Sequence, residues 1–401
     1  TLSALGFAVN HAIVNSLDRI VYVVPYTSVI DQNAGIFKKI FGASSILEHH
    51  CNFDFDAIDN EYGHSQLRLA SENWDMPLIA TTNVQFFESL FSNKASRARK
   101  IHNLAHSVII LDEAQMIPLE LTKPCMAAIS ELINNYHSTV ILCSATQPPL
   151  ERYIYGDIKS TELFEDYHSL YGTLKRVRVN LIHNRLTNNE IAKRLLECHR
   201  ALCIVNTRKH ASDLFDLIDD QDNSFHLSTN MYPAHRLRVL KRIKDALEEG
   251  PCRVVSTQLV EAGVDIDFPT VYRSMAGLDS IIQSAGRCNR EGKMDRGNLF
   301  IFDPDTPYDV PPSIGRTRDI SREVVHFINE PDECISIRSI DNYYAKLYGS
   351  ERSRGLVDLD LSGAKAILPE LQNRYEEGCK FNFETVGENF KLIRDYRIPL
   401  I

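Results

Sequence analysis

Apolar runs too short to be helices alternate along this chain with longer stretches whose apolar residues return at helical spacing. Leu2, Leu5, Val9, Ala12 and Ile13 follow that spacing, so the chain opens inside an amphipathic helix. Ile20–Val24 reads as a strand ended by Pro25, followed by a helix through Ile30 and Phe37 and a short strand near Ile46–Leu47. Further strands are predicted at Leu78–Thr81, Val108–Leu111 and Thr139–Cys143. Strands covered on both faces lose their alternation and become continuous Val/Ile/Leu runs, as Val108-Ile109-Ile110 does. Strand–helix alternation of this kind builds a parallel sheet with helices on both faces.

The same grammar restarts near Arg176. Strands are predicted at Val177–Leu181, Leu202–Val205, Phe225–Leu227, Arg253–Ser256, Val271–Tyr272 and Leu299–Phe302, with the clearest helix at Ala234–Glu248. Thr146–Lys175 is the expected linker region, with Pro148-Pro149 stopping the strand before it, and the acidic Asn52–Glu61 is an expected surface loop. After Asp303 the prolines 304, 307, 311 and 312 interrupt the pattern, and a helical segment with Tyr343, Tyr344 and Tyr348 follows. The expected fold class is α/β: two tandem parallel-sheet domains, 1–160 and 161–305, then a partly helical C-terminal extension, 306–401.

Composition narrows the function classes. With 401 residues, 44% hydrophobic and 24% charged, the chain is long enough for two to three soluble globular domains and a large core. Its 53 acidic against 44 basic residues give a formal charge of −9, so any nucleic-acid track must be local. Nine cysteines without a Cys-x-x-Cys pair point to reduced thiols in the cytoplasm, not to disulfides or a zinc knuckle. No apolar run approaches the roughly 18 residues of a membrane span, and no signal peptide is visible, so no membrane partner is expected. The chain starts at Thr1 and stops at Ile401, and both ends read as cut.

Candidate chemistry gathers first at Leu111-Asp112-Glu113-Ala114-Gln115, directly after an apolar run. Paired carboxylates at the carboxyl end of a parallel strand stand where α/β sheets place ligand chemistry; the alternative is a helix start with favourable dipole charges. Hydrolysis of a nucleoside triphosphate needs a phosphate cradle, a metal, a positioned water and cations that neutralise the transferred group. Asp112 is the candidate Mg²⁺ residue, acting through metal-bound water because Mg²⁺ dehydrates reluctantly. Glu113 is the candidate general base. Gln115, whose amide both donates and accepts, can link the γ-phosphate site to the second domain without titrating.

In Gln283-Ser284-Ala285-Gly286-Arg287-Cys288-Asn289-Arg290 the two arginines lie three apart, on one face if helical, with Gln283 one turn earlier. Arg290 is the preferred arginine finger on the triphosphate, with Arg287 beside it and Gln283 near the γ-phosphate; a salt-bridged surface face is the alternative. Gly263 permits a tight backbone approach, and Asp265 can accept from a ribose hydroxyl or hold an arginine. Ser144 and Thr146 end the strand Thr139–Cys143 and are candidates for coupling the metal site to motion between domains. The phosphate cradle is missing, since no Gly-x-x-x-x-Gly-Lys-Ser/Thr occurs in the sequence. Thr1 directly before the opening helix is expected to be the last residue of such a loop, with its hydroxyl toward ATP and Mg²⁺, or else a plain helix cap.

For gripping a single strand, Thr27 with Gln32, Thr82, Thr207 and Thr257 stand at strand ends, where hydroxyls and amides bind phosphates without reading sequence. Each is equally an ordinary capping hydroxyl. The basic piece Lys94–Lys100 is expected to be a solvated helix face. His102 and His106 are four apart without a third ligand, which speaks against zinc.

Taken in order, the Asp-Glu pair, Ser144-Ala145-Thr146, the segment Ser256–Phe268 and Gln283–Gly292 resemble the motor core of a superfamily 2 helicase. Within it, the second-half motifs resemble the CRISPR-associated helicase-nuclease of type I interference systems. That resemblance implies two RecA-like domains of the P-loop NTPase type using ATP and Mg²⁺, and 3′-to-5′ movement on single-stranded DNA. It also implies recruitment by a guide-RNA surveillance complex of the Cascade type. The family's His-Asp nuclease domain has no counterpart in this sequence, and Gln115 departs from the usual acid–acid–x–His ending. A related RNA or DNA-repair helicase and a non-catalytic pseudo-motor scaffold are the competing readings.

Overall fold

The computed structural model describes residues 2–51, 61–164, 175–219, 223–349, 366–371 and 381–393, with isolated positions between. Thr1 and most of the Asn52–Glu61 loop lie outside the described residues. The chain forms two compact units, Thr1–Thr161 with Tyr348–Ile401, and Glu162–Leu347.

In the first unit β1 (Arg19–Val24), β2 (Ile46–His49), β3 (Leu78–Thr82), β4 (Ser107–Asp112) and β5 (Thr139–Cys143) form one parallel sheet in the order β2-β3-β1-β4-β5. Its central strand is buried along nearly its whole length, as the unbroken run Ile20-Val21-Tyr22-Val23-Val24 requires. The opening helix Leu2–Asn15 lies on this sheet through Leu5, Ala8 and Ala12. Leu2 and Ile13, two members of the predicted apolar stripe, are exposed. The small Ala8 and Ala12, one turn apart, form the covered face in their place.

In the second unit β6 (Val177–Leu181), β7 (Arg200–Ile204), β8 (Ser224–Leu227), β9 (Cys252–Ser256), β10 (Thr270–Ser274) and β11 (Gly297–Phe302) form a parallel sheet in the order β6-β11-β10-β7-β9-β8. The helix Asn188–Glu197 is started by a full capping box between Thr187 and Glu190. The helix Pro233–Glu249 carries its proline at the first turn, where the missing N–H costs nothing.

All strands of a sheet being parallel, their carboxyl ends share one edge. The direction of winding reverses between β1 and β4 in the first sheet and between β7 and β10 in the second. Ligands of open α/β sheets bind at the carboxyl edge beside such a reversal.

The stretch from 306 onward, expected as a separate extension, is shared between the two units. Asp332 Oδ1 accepts from the Val179 amide at 2.7 Å, which satisfies a backbone donor on the edge strand β6. Further on, Phe390 stacks on Phe91 at 4.1 Å, and the Leu392 amide donates to Glu88 Oε1 at 3.3 Å. A strand edge and a buried ring stack thus join the described parts of the tail to the two units.

Candidate active site

Asp112 is the last residue of β4, at the reversal point of the first sheet. Its Oδ2 accepts from the Tyr22 hydroxyl on the neighbouring β1, and Asn33 Nδ2 donates to that same hydroxyl at 3.2 Å. Oδ1 accepts from the Glu113 amide at 3.1 Å. Glu113 then turns into the left-handed region with φ 55° and ψ 47°, a conformation that costs a non-glycine residue about 1–3 kcal/mol and concentrates at functional sites. This kink stops the strand from running on and begins the short turn of Ala114–Met116.

Gln115 sits in that turn. Its Nε2 donates to Glu113 Oε2 at 2.5 Å, and its Oε1 accepts from the Ser144 hydroxyl at 2.5 Å. Ser144 in turn accepts from the Thr146 amide at 3.1 Å, and Thr146 is buried. The amide therefore joins the end of β4 to the end of β5 inside the first unit. Burial, with the Asp112 and Glu113 carboxylates adding to it, raises the Cys143 thiol, paired in register with Asp112, to a pKa of about 11.

Asp112 offers hard oxygen donors at a strand end, which suits Mg²⁺ held by one or two carboxylates, phosphate oxygens and water. Among the described residues no three His, Cys, Asp or Glu side chains gather as a metal cluster. A Mg²⁺ site here would draw its remaining ligands from the nucleotide and solvent.

In the second unit, the helix Leu278–Ala285 ends at Gly286, so Arg287 and Arg290 do not share a helix face as the spacing predicts. Asn289, with φ 50°, completes a turn that sends the two side chains apart. Arg287 is buried, its Nε donating to the Val260 carbonyl at 2.9 Å and its Nη2 to the Glu261 carbonyl at 2.6 Å. Arg290 is exposed, with Nε 3.2 Å from Asp265 Oδ1. Of the two roles open to Asp265, holding an arginine is the one the geometry displays. Gly263, with φ 70°, bends the chain between Glu261 and Asp265. A backbone bridge between Phe268 and Cys288 ties this segment to the arginine turn a second time. Gln283 is half-buried on the same helix.

Of the strand-end hydroxyls, Thr82 accepts from the Gln85 amide at 3.2 Å and Thr207 from the His210 amide at 3.1 Å, both as helix caps. Thr257 is buried at the end of β9 with its hydroxyl unpartnered, and so is Ser228 at the end of the adjacent β8. Buried hydroxyls are ordinarily satisfied, so these two stand apart from the capping threonines. Thr27 opens the helix Thr27–Phe41 and is half-buried. The side chain of Gln32, like Thr1, lies outside the described residues.

Sequence reasoning missed Tyr22, Asn33, Glu261 and Arg273. The detectable signal was a polar tip inside an apolar strand: Tyr22 in Arg19–Val24 and Arg273 in Thr270–Ser274. Arg273 is fully buried with Nε 2.9 Å from Glu261 Oε1. Burial raises the Glu261 carboxyl and lowers the Arg273 guanidinium, and each opposes the other's shift by its charge.

Comparison with known proteins agrees with this geometry. The family model described as DEAD/DEAH box helicase matches residues 1–153. The model described as CRISPR-associated nuclease/helicase Cas3, C-terminal, matches residues 197–293. The chain is thus similar to DEAD/DEAH box helicases in its first part and to CRISPR-associated nuclease/helicase Cas3 in its second. A CRISPR-associated nuclease/helicase Cas3 of Haloferax volcanii is 25% identical across 89% of this chain and 53% of its own length. The chain thus spans about half of that relative. Among solved structures, T. fusca Cas3 with ATP superposes with a TM-score of 0.68 at 16% identity, over 96% of this chain and 53% of that one. A chain of a CRISPR RNA-guided surveillance complex, pre-nicking, superposes at 0.60 and 15% identity, covering 88% of this chain and 49% of that one. Each unit therefore has the RecA-like fold, two such domains following one another along the chain. No helix among the described residues is long and apolar enough to cross a membrane.

Proposed function

We propose that this chain is the motor core of an ATP-dependent single-stranded DNA translocase that serves CRISPR type I interference in the cytoplasm. The observation that carries the reading is the bridge from Glu113 through Gln115 to Ser144, which ties the candidate base to the end of the next strand. In this reading Asp112 holds Mg²⁺, and Glu113 accepts a proton from the attacking water. Arg290 supplies cationic stabilisation to the triphosphate, with Gln283 near the γ-phosphate, while Arg287 holds the turn through the Val260 and Glu261 carbonyls. The chain's own hydroxyls at the strand ends hold the strand by its phosphates. ATP as the nucleotide is supported by the likeness to the ATP-bound T. fusca fold, and a Cascade-type partner by the likeness to the chain in the surveillance complex.

The test is ATP hydrolysis by a longer chain that carries a Gly-Lys-Thr phosphate loop before Leu2, assayed alone, with single-stranded DNA and with RNA of equal length. Stimulation by DNA of about tenfold or more, equivalent to roughly 1.4 kcal/mol of barrier, supports the reading. Equal or greater stimulation by RNA favours an RNA helicase, and no hydrolysis at all leaves the scaffold.

A further inference from the structure

Within the second unit, the segment after β7 and the arginine turn are joined by a run of buried and half-buried polar side chains that ends on a backbone carbonyl. Arg273, on β10, donates through Nη1 to Asn206 Oδ1 at 2.8 Å and to the Ser274 carbonyl at 2.7 Å. Its Nη2 donates to Ser280 Oγ at 2.7 Å. Ser280 and Ser284 donate to Glu261 at 2.7 and 3.3 Å. The Glu261 carbonyl accepts from Arg287, three residues before Arg290. At the other end Asn206 is fixed again through Nδ2 to the Met275 carbonyl at 2.8 Å, and the next residue is Thr207.

We propose that Arg273, paired with Glu261, is a positioning residue that transmits the state of the Asn206-Thr207 turn to the turn bearing Arg287 and Arg290. The inference rests on the motor reading given above. Three features support it beyond simple packing. First, a buried ion pair is a poor way to stabilise a core, because desolvation offsets the attraction and an apolar pair of equal volume serves as well. Second, its register partners on the neighbouring strands, Ile204 on β7 and Ile301 on β11, are buried and hydrophobic, so an apolar residue was open to this position. Third, the guanidinium is used as a fork, spreading its donors over Asn206, Ser274 and Ser280, which lie in different loops or elements. An ammonium cannot reproduce that planar arrangement. A displacement of Asn206 by a bound strand is thereby passed to Glu261, and from its carbonyl to Arg287.

The experiment uses the ATP-hydrolysing longer chain and compares wild type, Arg273→Lys and the double variant Arg273→Met with Glu261→Met. Measured are thermal melting, unstimulated ATP hydrolysis, single-stranded DNA affinity and the ratio of stimulated to unstimulated kcat. The double variant should fold, keep unstimulated hydrolysis and DNA affinity within about threefold, and lose at least about tenfold in the stimulation ratio. Arg273→Lys should lose the ratio to a similar extent. Full stimulation in the double variant overturns the inference, as does a loss of stimulated and unstimulated rates by the same factor. A double variant that cannot fold overturns it too, since the pair is then a requirement of the core. A wild type whose hydrolysis ignores DNA overturns the motor reading itself and takes this inference with it.

Discussion

Gln115 accepts a hydrogen bond from the Ser144 hydroxyl at 2.5 Å. With its other atom it donates to Glu113, so the orientation of the amide is decided from both sides. Replacing it by Leu keeps the volume and leaves Glu113 and Ser144 each one partner short. Two hydrogen bonds worth about 1 kcal/mol each set the scale of the loss at roughly 10- to 100-fold in turnover. The expected result for Gln115→Leu is a fall of that size in kcat with KM for ATP nearly unchanged. A KM effect alone would place Gln115 in nucleotide binding instead.

Glu113 carries its proposed chemistry on a strained backbone, φ 55°. Glu113→Gln keeps the shape and removes the base, so turnover should fall by about 10²-fold or more while ATP still binds. Glu113→Gly should also be inactive, yet more stable to denaturant than Glu113→Gln, because glycine adopts this conformation without steric cost. The two readouts separate strain from chemistry. A Gly variant no more stable than the Gln variant would show that the turn stores nothing.

Most strands were legible because burial on both sheet faces forces unbroken apolar runs, and Thr139–Cys143 and Val177–Leu181 match their predicted bounds residue for residue. The acidic pair was legible because it directly follows such a run. Partnerships were not. Nothing in the letters around Arg287 says that it turns inward to two carbonyls while Arg290 turns outward, since that depends on where the helix stops at Gly286. The tail after 306 was illegible for a related reason: Asp332 and Phe390 find partners more than a hundred residues away.

The two arginines therefore separate in their phenotypes. Arg287→Ala leaves the Val260 and Glu261 carbonyls unpaired in a buried place, and about 2–4 kcal/mol of stability should go with them. Arg290→Ala breaks only a half-exposed ion pair, worth at most about 1 kcal/mol, and should melt like the wild type. Its hydrolysis should nonetheless fall by roughly 10³-fold, with DNA affinity little changed. Urea denaturation and ATPase assays on both variants check the split, and equal destabilisation by the two would remove the distinction drawn between them.

Acid should weaken both units through histidines that are buried neutral. Burial, with Lys100 and His50 adding to it, brings His49 to a pKa of about 4, and its Nδ1 accepts from the Trp74 indole N–H at 2.9 Å, a bond that a proton at that nitrogen would break. Burial likewise lowers His210 to about 4, Asp213 opposing, while its ring stacks on Tyr308 at 4.2 Å. In the unfolded chain both titrate near 6.5. A folded pKa below the unfolded one means the unfolded state binds protons first. The contribution of each histidine is complete above pH 6.5 and is lost as the pH falls from there toward 4. For the fully buried His210 the loss at pH 5 is of order 2 kcal/mol. Urea midpoints at pH 7.5 and pH 5 measure it, and His210→Phe, which keeps a ring against Tyr308 without a titrating nitrogen, should flatten the pH dependence of the second unit. An unchanged dependence in that variant would assign the acid sensitivity to other groups.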